Sequence, residues 1–427
     1  MLIHKTFRYR VYLSPEQDER ARRWEGTLRF VWNLALEQRL LGLSRLKGAK
    51  VYRTAFDQIN ELKPLRSEAD WLADVPRNVM AQAMVELDKA WQRCFKKLSR
   101  QPRWKKKGRT TIGLCEPHPK VWRLDGDILR FPKLGNLRAV VHRQLEGTPK
   151  TCTLKRDVDQ WFVMISCEVE IADPVPNTKP AVGVDVGVVS ILACSDGHVL
   201  PNPKFLQAAQ ARLARAQRVV ARRKKGSANQ RKARERVAKL HRKVRRQRSH
   251  VLHVETTRIS KSHGRVFVEN LNVQAMTKSA SGTVKDPGTN VAQKSGLNRA
   301  ILDSGWGQAR WMLDYKTLWE GGSVGEVPAP GSSQTCSECG HRDPLSRVSR
   351  GWFCCTSCRH EEDADTNAAK VILQRGLAAE TAAAGCGGSA AGRPKKQQLR
   401  VARRGQRSGQ ARAPLLPSDK APTFRSG

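Results

Sequence analysis

The sequence contains no apolar run approaching the roughly 18 residues that a membrane-spanning helix needs. Its opening, Met1 to Arg10, lacks the hydrophobic stretch that directs export. A chain neither inserted in a bilayer nor secreted is therefore expected, working in the cytoplasm. Acidic residues are also scarce: 39 Asp and Glu stand against 78 Lys and Arg, a formal net charge of +39 over 427 residues. Such a surplus repels itself in a compact state and calls for a polyanion. Nucleic acid is the first expectation, with association with the bacterial nucleoid; acidic proteins and anionic lipid are weaker alternatives. Apolar material is not lacking. Hydrophobic residues make up 39% and charged residues 27%, a globular composition rather than a disordered one. The length allows about two or three domains with real cores.

Cysteine is plentiful, and its distribution decides its meaning. Cys94, Cys115, Cys152, Cys167, Cys194 and Cys386 are scattered, mostly among apolar neighbours, and read as small core residues. The other five crowd between positions 336 and 358. Without an export signal, that clustering argues for metal rather than disulfides. Cys336-Ser-Glu-Cys339 and Cys355-Thr-Ser-Cys358 are two C-x2-C pairs, and together they supply the four thiolates of a closed, structural zinc site. Cys354 competes with Cys355, but only Cys355 has the two-residue spacing to Cys358; His341 and His360 are nearby substitutes.

Along the chain, Phe7, Tyr9, Val11 and Leu13 alternate with Arg8 and Arg10 and predict a half-buried strand. Ser14-Pro15-Glu16-Gln17 is a capping box with proline at the first helical position. Helical spacing follows through Trp24, Leu28, Val31 and Ala35, and a second helix is expected from about 78 to 98, burying Ala83, Leu87, Trp91 and Leu98. Asp125-Gly126-Asp127 and Asp157-Val158-Asp159 punctuate two hairpins, which the first strand is expected to join in a small barrel. Asp173-Pro174-Val175-Pro176-Asn177 marks the main boundary. Two helices over about 204 to 260, broken at Gly226–Asn229, carry 17 Lys and Arg between Arg212 and Arg248 against one acid, Glu235. A solvated face is the ordinary reading of charged helices. A single sign sustained over so many turns instead favours contact with nucleic-acid backbone, which sets affinity and not target choice. Arg103, Lys105, Lys106 and Lys107, then Arg222, Arg223, Lys224, Lys225, Arg242, Lys243, Arg245 and Arg246, are the candidate contacts. From Thr381 the chain turns to Ala and Gly, then to basic residues with Pro, the composition of a disordered basic tail.

Three carboxylates stand out by context. Asp185 interrupts the apolar strand Ala181-Val-Gly-Val-Asp-Val-Gly-Val-Val, Glu269 ends the similar run Arg265-Val-Phe-Val-Glu, and Asp365 lies where a helix should begin. Singly, each has an ordinary explanation: strand-end carboxylates held by amides, and a helix N-cap. Together they would suit divalent metal, because two Mg²⁺ ions about 4 Å apart activate water and stabilise the leaving oxygen of a phosphodiester.

Gly183-Val-Asp185-Val-Gly187, Val268-Glu269-Asn-Leu271, and the C-x2-C pairs running into Asp363-Ala-Asp365-Thr-Asn367-Ala-Ala resemble the split RuvC-like nuclease of the TnpB family. Phe7–Gln17, Phe30-Val31-Trp32-Asn33 and Ser332-Ser333-Gln334-Thr335-Cys336 are similar to other parts of that family, and the likeness spans about residues 3 to 375. The family comprises transposon-encoded RNA-guided DNA endonucleases, long described as transposases and akin to compact type V CRISPR effectors. The resemblance implies a mixed α+β and α/β multidomain chain. Residues 1–13 and 99–172 would form a β-barrel wedge domain, and 14–98 a helical recognition lobe. Residues 178–380 would form an RNase H-like (RuvC-like) nuclease domain, with a basic helical insertion at 204–260 and a zinc ribbon at 334–360. The tail would be 381–427. It further implies that Asp185, Glu269 and Asp365 hold Mg²⁺, two ions, for DNA cleavage, beside one structural Zn²⁺. The implied partners are a guide RNA and target double-stranded DNA. Competing readings are a compact CRISPR effector, a strand-transferring transposase with a similar triad, and a non-catalytic zinc-ribbon nucleic-acid-binding regulator.

Overall fold

The computed structural model describes residues 1–44, 52–108, 110–173, 175–284 and 286–385. The opening strand β1 (Leu2–Tyr12) buries Ile3, Phe7, Tyr9 and Val11 on one face and exposes the residues between them. The capping box forms as expected: Gln17 N–H donates to Ser14 Oγ at 3.2 Å, and Ser14 N–H donates to Gln17 Oε1 at 2.9 Å. It starts α1 (Pro15–Ser44), which buries Trp24, Leu28, Val31 and Ala35. Then come α2 (Ala55–Glu68), α3 (Asp70–Ala73) and α4 (Arg77–Phe95). The stripe that α4 buries runs through Met80, Met84, Leu87 and Trp91; Ala83 is only half-buried. Leu98, expected inside, lies past the helix end and is exposed, because Lys97 takes a left-handed backbone (φ 55) that stops the helix.

Six further strands complete the first sheet: β2 (Leu114–Glu116), β3 (Arg123–Asp125), β4 (Ile128–Phe131), β5 (Gly135–Val140), β6 (Thr148–Asp157) and β7 (Gln160–Glu170). Both expected hairpins form, with Asp125 opposite Ile128 and Asp157 opposite Gln160. The strand order is β2-β6-β7-β1-β5-β4-β3, and every pairing is antiparallel. The expected barrel is therefore not closed by hydrogen bonds. Its edges β2 and β3, three residues each, do not pair with one another. One apolar core joins this sheet to α1 and α4.

The second sheet contains β8 (Ala181–Asp185), β9 (Ser190–Cys194) and β10 (Val199–Pro201). After the basic helices α5 (Phe205–Arg222) and α6 (Ala228–Ser262) come β11 (Arg265–Glu269), α7 (Val273–Met276), α8 (Val291–Ser304), α9 (Trp306–Trp319) and β12 (Ser323–Val327). The order is β10-β9-β8-β11-β12, with β8, β11 and β12 parallel and the β8–β9–β10 meander antiparallel. One face packs Val182, Val184, Val266 and Val268 against Leu252 and Ile259 of α6 and Met312 and Leu313 of α9. On the other, Phe267 and Val327 meet Ile372 of the last helix, α10 (Ala364–Gly385), which follows the small pair β13 (Trp352–Cys354) and β14 (Glu361–Asp363). Helix α10 covers the first five residues of the segment expected to be a tail; residues 386–427, with Cys386, lie outside those described. Among the described residues no helix is long and apolar enough to cross a membrane.

Candidate metal centres

Strands β8 and β11 run side by side with Val184 opposite Val268, so Asp185 and Glu269 occupy the next rung at the carboxyl ends of adjacent parallel strands. Their backbones are thus about 4.8 Å apart, with both side chains on one face. Gly183 shares that face, and it lets the third group in. A Cβ at position 183 would stand 2.0 Å from the Ala369 carbonyl oxygen and 2.6 Å from the Leu373 nitrogen, so α10 lies with its backbone directly on β8. The first turn of α10 then carries Asp365 to the same corner, where its Oδ2 is 3.8 Å from the place a Cβ on Gly187 would take.

The electrostatics register this convergence. Burial, then the negative charges of Glu269 and Asp365, push the Asp185 carboxyl up to about 7, against a weaker pull from the Val186 N–H and Arg347. Burial also raises Glu269, opposed by the Ser332 hydroxyl and by Arg375. The capping role falls to Asp363, not Asp365. Asp363 Oδ1 accepts from Asp365 N–H at 3.1 Å and Thr366 N–H at 2.9 Å, and the charge of the Asp365 carboxylate is felt by Asp185. Asp185 thus sits between the charges of Glu269 and Asp365, with Arg347 3.8 Å from Asp365 and Arg375 acting on Glu269; the oxygens of the three carboxylates do not all lie within 4.8 Å of one another, as the four thiols below do.

The thiols of Cys336, Cys339, Cys355 and Cys358 lie within 4.8 Å of one another, with Cys336–Cys358 and Cys339–Cys355 both at 3.6 Å. Tetrahedral zinc with Zn–S bonds of about 2.3 Å has sulfur–sulfur edges of about 3.8 Å, so the donors fit that ion. Each pair sits on the same knuckle. Cys336 N–H donates to His341 O and Gly340 N–H to Cys336 O; Cys355 N–H donates to His360 O and Arg359 N–H to Cys355 O. Gly340 (φ 74) and Arg359 (φ 61) supply the left-handed turn in each. Burial raises the Cys355 thiol, but the N–H groups of Cys358 and Ser357, with the neighbouring Cys339 and Cys358 thiols, lower it overall, while Cys336 and Cys358 in the same cluster are raised. Cys354 points instead at Glu361, 3.6 Å away, His360 faces Glu362, and His341 is exposed.

Three residues outside the expected set complete the arrangement. Ser332 hydrogen-bonds Glu269, Arg347 faces Asp365, and Asn367, fully buried, binds the ribbon backbone at Ser337 N and Thr335 O. Asn367 was visible as a motif letter; Ser332 and Arg347 carried no signal tied to chemistry.

The basic candidates divide in two. Arg103, Lys106 and Lys107, and Arg222, Arg223, Lys224, Lys225 and Lys243, are exposed, and no acidic side chain among the described residues forms an ion pair with their charged groups. Lys105 is half-buried, with its ammonium 4.3 Å from the Trp32 ring. Arg242, Arg245 and Arg246 are already engaged with the β6–β7 hairpin. Arg242, only 8% exposed, donates to Asp157 O at 2.7 Å and Asp159 Oδ1 at 2.5 Å; Arg245 reaches both Asp157 oxygens at 2.7 and 2.8 Å. Arg246 donates to Gln160 Oε1 at 3.1 Å. These three are clamps on the hairpin, since its acids neutralise them.

Comparison with known proteins adds kinship. Residues 164–280 match the OrfB/IS605 family, described as a probable transposase, and residues 306–372 match a Cas12f1-like TNB domain. Residues 1–40 match a helix-turn-helix domain of the same family, although here they form one strand and most of one helix. The chain is 36% identical over 401 residues to "Putative RNA-guided DNA endonuclease InsQ" of Escherichia coli K12, covering 92% of this chain and 97% of that protein. It is 34% identical over 409 residues to a "Putative RNA-guided DNA endonuclease" of Streptomyces pristinaespiralis, covering 94% and 95%. Its fold is like that of Cas12f1 solved with sgRNA and target DNA, with a TM-score of 0.55 at 15% identity, over 87% of this chain and 99% of the other.

Proposed function

Because this chain belongs to the OrfB/IS605 family, and relatives similar over most of its length carry the name "Putative RNA-guided DNA endonuclease", we propose that it is a guide-RNA-directed, Mg²⁺-dependent DNA endonuclease cutting at Asp185, Glu269 and Asp365. What supports this reading is the placement of Asp185 and Glu269 at the ends of adjacent parallel strands, with the first turn of α10 bringing Asp365 to the same corner, where burial and the charges of Glu269 and Asp365 raise the Asp185 carboxyl.

The β8–β12 sheet flanked by α6, α9 and α10 is then an RNase H-like (RuvC-like) nuclease core over 178–380. Residues 204–260 are its basic insertion and 334–360 its zinc ribbon. Residues 1–13 with 99–172 are the wedge, and 14–98 the recognition lobe. Asp185, Glu269 and Asp365 would hold the metal, and Arg347, beside Asp365, is placed to meet a phosphate that approaches them. When bound, paired Mg²⁺ would supply an activated water and charge stabilisation at the leaving oxygen. Ser332 orients Glu269, and the closed four-cysteine site has no open position for chemistry, so it holds the ribbon's fold. Base pairing with the guide selects the target, while the free cations of α5 and α6 hold the heteroduplex by its phosphates.

The test begins with RNA recovered with the purified chain. One discrete species is expected on sequencing, and a random sample of host RNA contradicts guidance. A plasmid carrying the complement of that RNA beside randomised bases should then be cut in Mg²⁺ by the parent complex. Asp185→Ala should keep the RNA and lose the cut; cleavage surviving in that variant refutes the site, and joined ends would instead indicate strand transfer.

A further inference from the structure

Between β12 and the first zinc knuckle the chain crosses α10 in a segment, Pro328–Ser337, that belongs to no sheet. Backbone groups outside regular structure still need partners. Here α10 side chains provide them. Asn367 uses both ends of its amide: Oδ1 accepts from Ser337 N–H at 2.9 Å and Nδ2 donates to Thr335 O at 2.8 Å. Two turns on, Gln374 Nε2 donates to Ser337 O at 2.5 Å, and Arg375 Nη1 donates to Pro328 O at 3.1 Å and Pro330 O at 3.2 Å. Positions 367, 374 and 375 are seven and eight residues apart and so share one face of the helix.

The same segment reaches the carboxylate centre. Ser332, in its short 3-10 turn Ser332–Gln334, donates its hydroxyl to Glu269, while Asn367 lies two residues after Asp365. One segment thus touches β11 at one carboxylate, grips α10 beside another, and ends in the first zinc knuckle at Cys336. Asn367 is fully buried, and ribbon backbone engages each end of its amide.

We propose that Pro328–Ser337 is a strap, anchored by the four-cysteine site and locked by Asn367, that sets the spacing of Glu269 and Asp365. Asn367 is its positioning residue, acting through the strap without touching metal or substrate. The inference rests on the reading of the three carboxylates as a divalent-metal centre. It adds that the zinc ribbon governs how tightly that centre binds its cation.

Asn367→Ala tests it in the full-length chain, with Mn²⁺ alone as the probe, followed by electron paramagnetic resonance. Loss of a group that orients metal ligands weakens metal binding or activity by between about 10- and 100-fold. That loss is expected in Mn²⁺ affinity, and in cleavage rate by the RNA-loaded chain, with zinc content, target KM and bound RNA unchanged. Gln374→Ala, which releases the strap farther from Asp365, is expected to give a smaller loss in the same direction, and it decides the matter if Asn367→Ala does not fold. Unchanged Mn²⁺ affinity in the folded variants overturns the proposal. So does a loss that tracks zinc content, because Asn367 would then only hold the ribbon together. A parent chain that binds Mn²⁺ in an Asn367-dependent way yet cuts no DNA would leave the strap standing and remove the endonuclease reading.

Discussion

Replacing Asp185 by Asn should stabilise the magnesium-free protein, and the size of the effect follows from the site. Burial and the charges of Glu269 and Asp365 raise its carboxyl from an ordinary 3.8 to about 7. A separation of that size corresponds to about 4 kcal/mol. The sign follows from proton counting. Between pH 3.8 and about 7 the native chain keeps a proton that the unfolded chain has released, so stability falls as pH rises through this window. Above the folded value the whole penalty applies; below the unfolded value none does. Asparagine has the same shape and no charge to bury. Asp185→Asn should therefore match the parent near pH 4 and exceed it by up to about 4 kcal/mol near pH 8. Urea unfolding in magnesium-free buffer measures this. No chelator is added, because it would strip zinc from the four cysteines. Adding Mg²⁺ should close the gap by stabilising the parent alone. A variant no more stable than the parent at pH 8, or a gap that ignores pH, refutes the reasoning.

Other outcomes follow from the same geometry. Cys336→Ser and Cys358→Ser should each lower zinc content and thermal midpoint together, read by metal analysis and calorimetry on one preparation. Gly183→Ala forces a methyl against the Ala369 carbonyl and should destabilise the chain by about 1–3 kcal/mol, with cleavage lost beyond what stability explains because Asp365 moves with α10. Neutralising Arg222, Arg223, Lys224 and Lys225 should reduce the slope of log affinity for nucleic acid against log salt by about 0.7–0.9 for each phosphate they no longer neutralise. Arg242→Ala should instead lower stability, because it leaves the hairpin tip without its buried clamp.

What the sequence discloses follows the range of the interactions. The Ser14–Gln17 box, both hairpins and the two C-x2-C knuckles are local and were readable from spacing alone. The same holds for Cys355 over Cys354, decided by the turn that ends in Arg359. Helix α2 was missed although Thr54 and Asp57 cap it reciprocally, because Pro64 interrupts it and only Gln58 and Leu62 are buried. The carboxylates were legible as strand ends and a helix start. Their placement at one corner of the sheet was not, because it depends on the β8–β11 register and on the absence of a side chain at Gly183. Arg242, Arg245 and Arg246 look like the other cations in their run. Acids more than 80 residues away, Asp157 and Asp159, make them clamps. Asn367 announces nothing in sequence beyond its place in a motif, since its partners are backbone groups of a segment 30 and 32 residues earlier.

The most direct test of the central claim is anomalous diffraction from crystals soaked in Mn²⁺. A pair of ions about 4 Å apart is expected, ligated by Asp185, Glu269 and Asp365. Manganese bound elsewhere, or held by fewer than these three carboxylates, would contradict the account.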